Sequence, residues 1–436
     1  MAFIQNNIRI RESVFFLVRS LFVGSYAAVV GTAIVLSFVF LLDIVSAAIE
    51  PFSAYSFLFP LAGALLCGMV FYRINPEAAG EGIPSYIRSM QFRKGYFSLK
   101  VTVLKYFSAL ATIASYGSGG IIGPLGRVSA GIISFSERFV QKLLFKKEDD
   151  DQMLSSICGM AAAIGAITHA PIGAGIFAVE IIQKNNFSYR DLFPAILSSV
   201  GAVVLSQFFG FPGLYHGENS SSPYALSTLV WILPVSLVIG LAGLGYNSLY
   251  RIAVKVFNRR RGRVWLKVLI GSALSGAICF FVSPSLFGVS RGLLHGVFAG
   301  DFTHLAVGAL GSFPIVIVLL VLAISKAVTN TITVGSGLNA GFTAPTAIAG
   351  MLIAAAIALL LGFQAGSPDY FMFVVIGFSG ILAASMNIPF AAAILAIEIF
   401  GVQYAVPAAI AVVVGYYISQ TSNIYTYAIE AMNGKE

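Results

Sequence analysis

The stretch GSGGIIGPLGR, Gly117–Arg127, decides how this chain is read, because a second glycine-rich stretch, GSGLNAGFTAP, begins 218 positions later at Gly335. In each, Gly-Ser-Gly is followed by a further glycine six residues after the first, Gly123 and Gly341, and then by a small-residue run compatible with a helix. Each copy reads as a loop feeding a helix N-terminus. Downstream, HAPIGAGIFAVE (His169–Glu180) is answered by NIPFAAAILAIE (Asn387–Glu398), again at an offset of 218. One offset kept across two motifs predicts an internal repeat.

Composition sets the solvent. A chain of 436 residues with 58% hydrophobic residues, 10% charged residues and a mean hydropathy of +0.89 is too apolar for a soluble globule. Apolar stretches able to cross about 30 Å of hydrocarbon recur from end to end, and they are continuous rather than alternating, so helices and not a barrel are expected in the lipid bilayer. The 44 glycines imply close helix contacts or broken helices. The formal charge of +8 does not point to nucleic acid, since the basic residues sit mostly in short loops between apolar runs, where topology accounts for them. Cys67, Cys158 and Cys279 lie in apolar segments without paired or ligand spacing, and His216, His295 and His304 form no ligand set. Buried free thiols, no metal site, no catalytic set and no cofactor are expected.

Arg9 and Arg11 precede an apolar run from Val14 to about Ile49, which is too long for a signal-peptide core and lacks a cleavage signal, so it reads as a first membrane helix. The polar stretch GLYHGENSSSP (Gly213–Pro223) marks a linker, giving a first half 1–212, a linker 213–224 and a second half 225–436. The second half opens with an apolar run from Leu226 to about Val256, in which Leu229, Val230, Leu233 and Val235 are spaced like Leu17, Val18, Leu21 and Val23. The basic flanks stand at opposite ends of the two runs, with Arg9 and Arg11 before the first and RRRGR (Arg259–Arg263) after the second. The matching helices then cross in opposite directions, and the halves form an inverted repeat, an architecture of transporters and channels. Tyr55–Tyr72 is a second span, Lys142–Asp151 reads as a solvated connection, and the ten or so residues after Tyr427 leave no expected soluble regulatory domain.

Three Gly/Pro-containing breaks, GEGIP (Gly80–Pro84), GPLGR (Gly123–Arg127) and GFTAP (Gly341–Pro345), each precede a helix-compatible run. Glycine lets backbone amides approach a ligand, and a helix N-terminus adds unpaired N–H donors and a partial positive charge. Several such ends converging would hold an anion without a fixed cation and without trapping it. The plainer alternative is that the glycines only permit close packing.

In these motifs the chain resembles the CLC family of chloride channels and chloride/proton antiporters. GEGIP corresponds to the family's G-S-G-I-P, GPLGR to G-(K/R)-E-G-P and GFTAP to G-x-F-x-P; the Pro171/Glu180 and Pro389/Glu398 helices and NIYTYAI near the C-terminus also look like family counterparts. The resemblance spans nearly the whole chain. It implies an all-α polytopic bundle with re-entrant helices, a homodimer with one pore per subunit, and transport of a small inorganic anion, chloride by default. A prokaryotic cell membrane with both termini cytosolic is the expected setting. It also implies an anion site at Glu81, Gly82, Ile83, Leu125, Gly126, Phe342, Thr343 and Tyr425, with Tyr427 the less favoured tyrosine.

The departures carry as much as the matches. Leu125 stands where the family places a glutamate that gates and carries protons, and Ile181 stands at the family's internal proton-transfer glutamate. Neither side chain titrates, so a proton route through these positions has no chemistry. Glu81 replaces a pore serine, and Arg127 stands where proline is expected. Either Glu81 and Arg127 pair across the pore, since an isolated charge at membrane depth is costly, or Arg127 snorkels or caps a carbonyl while Glu81 faces a watery vestibule. Glu180 and Glu398 read as structural hydrogen-bonding carboxylates, His169 as a cap matched by Asn387, and Lys105 and Lys326 as sources of positive potential or as snorkelling stems. Passive, proton-uncoupled anion transport is the expected function. An antiporter coupled through Glu81 or Glu180 and a non-transporting CLC-derived membrane protein are the alternatives.

Overall fold

Backbone polar groups have no water to bind inside a bilayer, so apolar runs of this length close their hydrogen bonds as helices. A computed structural model of the chain describes residues 2–145, 152–182, 189–215, 223–259, 264–305 and 308–433. Most of the 213–224 linker with His216, most of the RRRGR flank, the 146–151 part of the mixed-charge loop, and the side chains of Arg9, Arg11 and His304 lie outside the described residues. Among the described residues, eight helices are long and apolar enough to cross a membrane.

The first half contains α1 (Ala2–Ile49), α2 (Phe59–Leu66), α3 (Tyr72–Ile74), α4 (Gly82–Phe92), α5 (Leu99–Ala114), α6 (Ile122–Phe145), α7 (Met153–Thr168), α8 (Pro171–Glu180) and α9 (Tyr189–Phe208). The second contains α10 (Ile232–Arg259), α11 (Val264–Val282), α12 (Arg291–Ala299), α13 (Ile315–Gly335), α14 (Thr343–Leu360), α15 (Pro368–Met386), α16 (Pro389–Phe400) and α17 (Ala405–Ser419), followed by α18 (Ile424–Asn433). The expected second span, Tyr55–Tyr72, is a shorter helical run, Phe59–Ile74, joined through a π-helical turn at Cys67–Phe71.

From α4 to α9 the first half follows the same order as α12 to α17 of the second, and the caps match with them. The amide of Gly117 closes on the carbonyl of Thr112 after α5, and the amide of Leu338 closes on Thr333 after α13. His169 and Asn387 cap the C-termini of α7 and α15 in the left-handed conformation, each with φ 55°. His169 thus ends the preceding helix rather than starting α8. These pairs correct the single offset read from the sequence: the loops before α6 and α14 align at 221 residues, as Gly120 and Gly341 do, whereas the α7–α8 and α15–α16 region aligns at 218. The first half carries three more residues between its glycine loop and the end of α7. The second Gly-Ser-Gly, Gly335–Gly337, is consequently not the structural partner of Gly117–Gly119.

Helices α7 and α15 are the innermost; every α7 residue from Leu154 to Thr168 is buried, as is every α15 residue from Tyr370 to Met386. Small residues make such burial feasible. A Cβ on Gly350 of α14 would lie 2.3 Å from the Gly377 carbonyl of α15, and a Cβ on Gly377 would lie equally close to the Gly350 carbonyl. Cys67, Cys158 and Cys279 are buried free thiols, as their apolar surroundings predicted.

The short helices α8 and α16 lie against each other, and each carries in its last turn a glutamate that caps the start of the other. Glu398 accepts hydrogen bonds from the amides of Ile172 (2.9 Å) and Gly173 (2.7 Å), and Glu180 accepts from Phe390 (3.1 Å) and Ala391 (2.7 Å). A carboxylate on free N-terminal amides satisfies orphan donors and opposes the helix dipole. Both glutamates therefore have the structural role their repeat-related positions suggested. Replacing buried Glu180 by Ala is expected to cost about 2–3 kcal/mol, and the half-buried Glu398 about 1–2 kcal/mol, read as lower unfolding midpoints in mixed micelles.

Candidate functional site

The three glycine breaks form one structure. Gly120 and Gly341 exchange backbone hydrogen bonds, Gly120 N–H to Gly341 O at 2.9 Å and Gly341 N–H to Gly120 O at 2.7 Å. The break before α4 joins through Gly80, whose amide donates to Gly337 O at 2.8 Å. Gly80 has φ +75°, a left-handed conformation that favours glycine. Asn330 straps the centre, donating to the carbonyls of Ser118 and Gly341 and accepting the Tyr246 hydroxyl at 2.6 Å. GPLGR and GFTAP turn out to lie largely in the first turns of their helices rather than ahead of them, since α6 starts at Ile122 and α14 at Thr343.

At the start of α4, Glu81 is the N-cap, with Oε2 accepting the Ile83 amide at 2.8 Å. Its other oxygen, Oε1, is buried without a hydrogen-bond partner. That oxygen abuts the first turn of α6, because a Cβ on Gly123 would lie 2.0 Å from it. The Phe342 backbone at the start of α14 interacts with the same carboxylate. Phe342 is fully buried, with the Tyr250 ring edge-on at 4.6 Å and the Tyr425 ring at 6.4 Å. Thr343 Oγ1 and Thr346 Oγ1 are also buried without partners. Starts of three helices, one carboxylate oxygen and the Thr343 hydroxyl therefore share a small interior region beside Tyr425, whose hydroxyl lies next to Thr343 and 3.4 Å from Met386 Sδ, while Thr346 faces Tyr246. The hydroxyls are donors that suit an anion, whereas the Glu81 oxygen is an acceptor that opposes one while it is ionised.

The structure thus brings Glu81, Gly82, Ile83, Phe342, Thr343 and Tyr425 together with the first turn of α6. Tyr427 points elsewhere, with Arg251 over its ring at 5.3 Å. Leu125 is fully buried two residues beyond Gly123, and Gly126 leaves room for Met160 Sδ. Ile181 is the C-cap of α8 and is buried among apolar core side chains. No cluster of three metal-ligating side chains occurs among the described residues.

Of the two arrangements open for Glu81 and Arg127, the ion pair is not formed, and Arg127 neither snorkels nor caps a carbonyl. Arg127 donates from Nε to Ser85 Oγ at 3.2 Å and from Nη1 to Thr102 Oγ1 at 3.0 Å, with its guanidinium 4.1 Å from the Phe97 ring centroid. The cation acting on Glu81 is Lys105, whose ammonium holds the carbonyls of Ala79 and Gly80 just ahead of it. Lys105 and Lys326 do not snorkel; both are fully buried, Lys326 donating to Ser118 Oγ, Leu286 O and Gly288 O. Sequence reading missed Asn330, Thr346, Tyr246 and Tyr250. Tyr246 and Tyr250, four apart on α10, share one helix face, and that spacing is their only signal in the sequence.

A helical membrane protein of two inverted halves, with helix starts converging on buried unpaired donors, is a membrane transport protein in architecture. The chain belongs to the voltage gated chloride channel (CLC) family, whose model matches residues 62–420. That family consists of anion transporters rather than enzymes. The chain is 29% identical over 353 residues to an uncharacterised protein of Methanocaldococcus jannaschii, covering 80% of this chain and 82% of the relative. It is 26% identical over 359 residues to the H(+)/Cl(-) exchange transporter ClcA of Yersinia pestis bv. Antiqua (strain Angola), covering 78% of this chain and 70% of that one. Its fold matches a crystal structure of a CLC-type fluoride/proton antiporter with a TM-score of 0.77 at 20% identity, over 95% of this chain and 98% of the other. A slow cyanobacterial Cl-/H+ antiporter matches with a TM-score of 0.76 at 16% identity, over 97% and 98% of the two chains.

The contact between Gly123 and Glu81 yields a direct check. Gly123→Ala is expected to destabilise the protein by about 1–3 kcal/mol through overpacking, and adding the shorter side chain of Glu81→Ser should restore the unfolding midpoint. Equal loss in the single and double variants would show that the two do not meet.

Proposed function

We propose that this protein carries a small inorganic anion, chloride as first candidate, passively across a membrane and without coupling to protons. The observation that carries the reading is the pair of buried apolar side chains, Leu125 and Ile181, at the two positions where the family resemblance implies proton-handling glutamates. Amide donors at the start of α14, with the hydroxyls of Thr343 and Tyr425, would take the place of the anion's water, while the start of α4 is capped by Glu81. Leu125 would act as an apolar constriction that gates by wetting and drying. In the same reading the protein is a homodimer with one pore per subunit, set in a prokaryotic cell membrane with both termini cytosolic.

A second reading has its own observation. Glu81 is a buried carboxylate with an unpaired oxygen at the same site, so it could exchange protons in place of the missing glutamates and couple anion to proton movement. The relatives named as proton exchangers favour looking for this.

Reconstituted liposomes loaded with chloride separate the two. Passive transport requires efflux that depends on a potassium ionophore and moves no protons; uphill proton movement in fixed ratio to chloride would overturn it and install Glu81. Under the passive reading, Leu125→Glu should turn a flux that varies little between pH 5 and 8 into one that changes by about tenfold across the carboxylate titration, because one pK unit of differential stabilisation is worth that factor.

A further inference from the structure

Beside the start of α4 lies a cavity of about 300 Å³, reached by the side chains of Glu77, Glu81, Arg88, Arg93 and Arg127. Arg127 is 4% exposed, yet it has no carboxylate partner. Ser85 and Thr102, which hold two of its nitrogens, are neutral, and Phe97 occupies one face of the guanidinium. Gly131 makes the arrangement feasible, since a Cβ there would lie 2.6 Å from Nη1. The third nitrogen, Nη2, has no hydrogen bond in the structure. No acid touches Arg127: Glu81 is held by the Ile83 amide and the field of Lys105, and Glu77, more than half exposed and 3.6 Å from Arg93, acts on Arg127 only through space. An arginine taken out of water with no carboxylate in contact is costly, and a protein that fixes one on three sides has a use for its charge.

We propose that Arg127 is a fixed-cation binding site for a small, partly hydrated monovalent anion, and that the anion in the cavity is its counter-ion. The inference rests on the reading of this protein as an anion carrier and adds a binding residue that the backbone cradle does not supply. Ser85 and Thr102 take the Nε–H and one Nη1–H, which leaves the two N–H groups of Nη2 and one of Nη1, so the site can hold a spherical halide as well as a small oxyanion. Sitting on α6 one turn beyond Gly123, Arg127 concentrates the anion next to the helix starts before it sheds its water.

Bromide, which scatters anomalously, is the probe. Crystals of the full chain grown in bromide should show a peak within hydrogen-bonding distance of Arg127 Nη2; Arg127→Gln should abolish that peak while leaving any peak beside Phe342 and Tyr425. In liposomes R127Q should raise the chloride concentration for half-maximal flux about tenfold with little change in maximal flux, the value of one charge-assisted hydrogen bond, and R127K should raise it less. A wild-type map with bromide beside Phe342 and none at Arg127 overturns this inference and leaves the proposed transport standing. Bromide at Arg127 in a protein that moves no anion supports the site and overturns the transport reading. The wild-type map decides the matter even if R127Q fails to fold.

Discussion

Two hydrogen bonds between Gly120 and Gly341 fix how the halves of this molecule meet. Each glycine loop has left its helix and carries amide and carbonyl groups that must be paired once buried in an apolar interior. Each finds its partner in the equivalent loop of the other half, so neither half is satisfied alone. From this pair the starts of α6 and α14 take their positions, and the link from Gly80 to Gly337 brings the start of α4 to the same place. A Cβ on Gly341 would lie 3.0 Å from the Gly120 carbonyl and 3.1 Å from Pro124 Cδ, so the approach leaves little room for a larger residue.

On this nearly symmetric frame the charges are asymmetric. Lys105 and Lys326 are equivalent, and each neutral carbonyl they hold precedes an equivalent short helix, α4 or α12. In the first half that helix begins with a carboxylate, Glu81, and Arg127 stands nearby on α6; in the second it begins at Ser290, whose side chain makes no cap, followed by Arg291, which pairs on the surface with Asp43 at 3.1 Å. The same lysine serves beside a charged centre on one side and as plain backbone support on the other. Chemistry has been added to one copy of a shared scaffold.

Much of this was legible in the chain. Hydropathy gave the spans because lipid leaves the backbone few options, and the glycine motifs gave the helix starts because few other residues allow such approach. The paired glutamates were readable as structural because their spacing from Pro171 and Pro389 is equal. What was hidden depends on contacts between distant segments. Lys105 lies 24 residues from Glu81 on another helix, so nothing local shows that it, and not Arg127, supplies the positive field. The change of register between the loops and the α7–α8 region was masked by a second Gly-Ser-Gly that mimics the first three residues too early. Thr346 and Asn330 carry no motif and gain meaning through neighbours from the other side of the bundle.

The caps exchanged by α8 and α16 bear on how the molecule can move. Rocking one half as a rigid body against the other would have to part four amide–carboxylate bonds at those helices together with the central glycine pair. The four bonds together represent on the order of 3–5 kcal/mol, enough to keep the parted arrangement a minor population. The two halves are tied at the centre and again at the α8–α16 contact, so a movement of one half against the other has to break both ties.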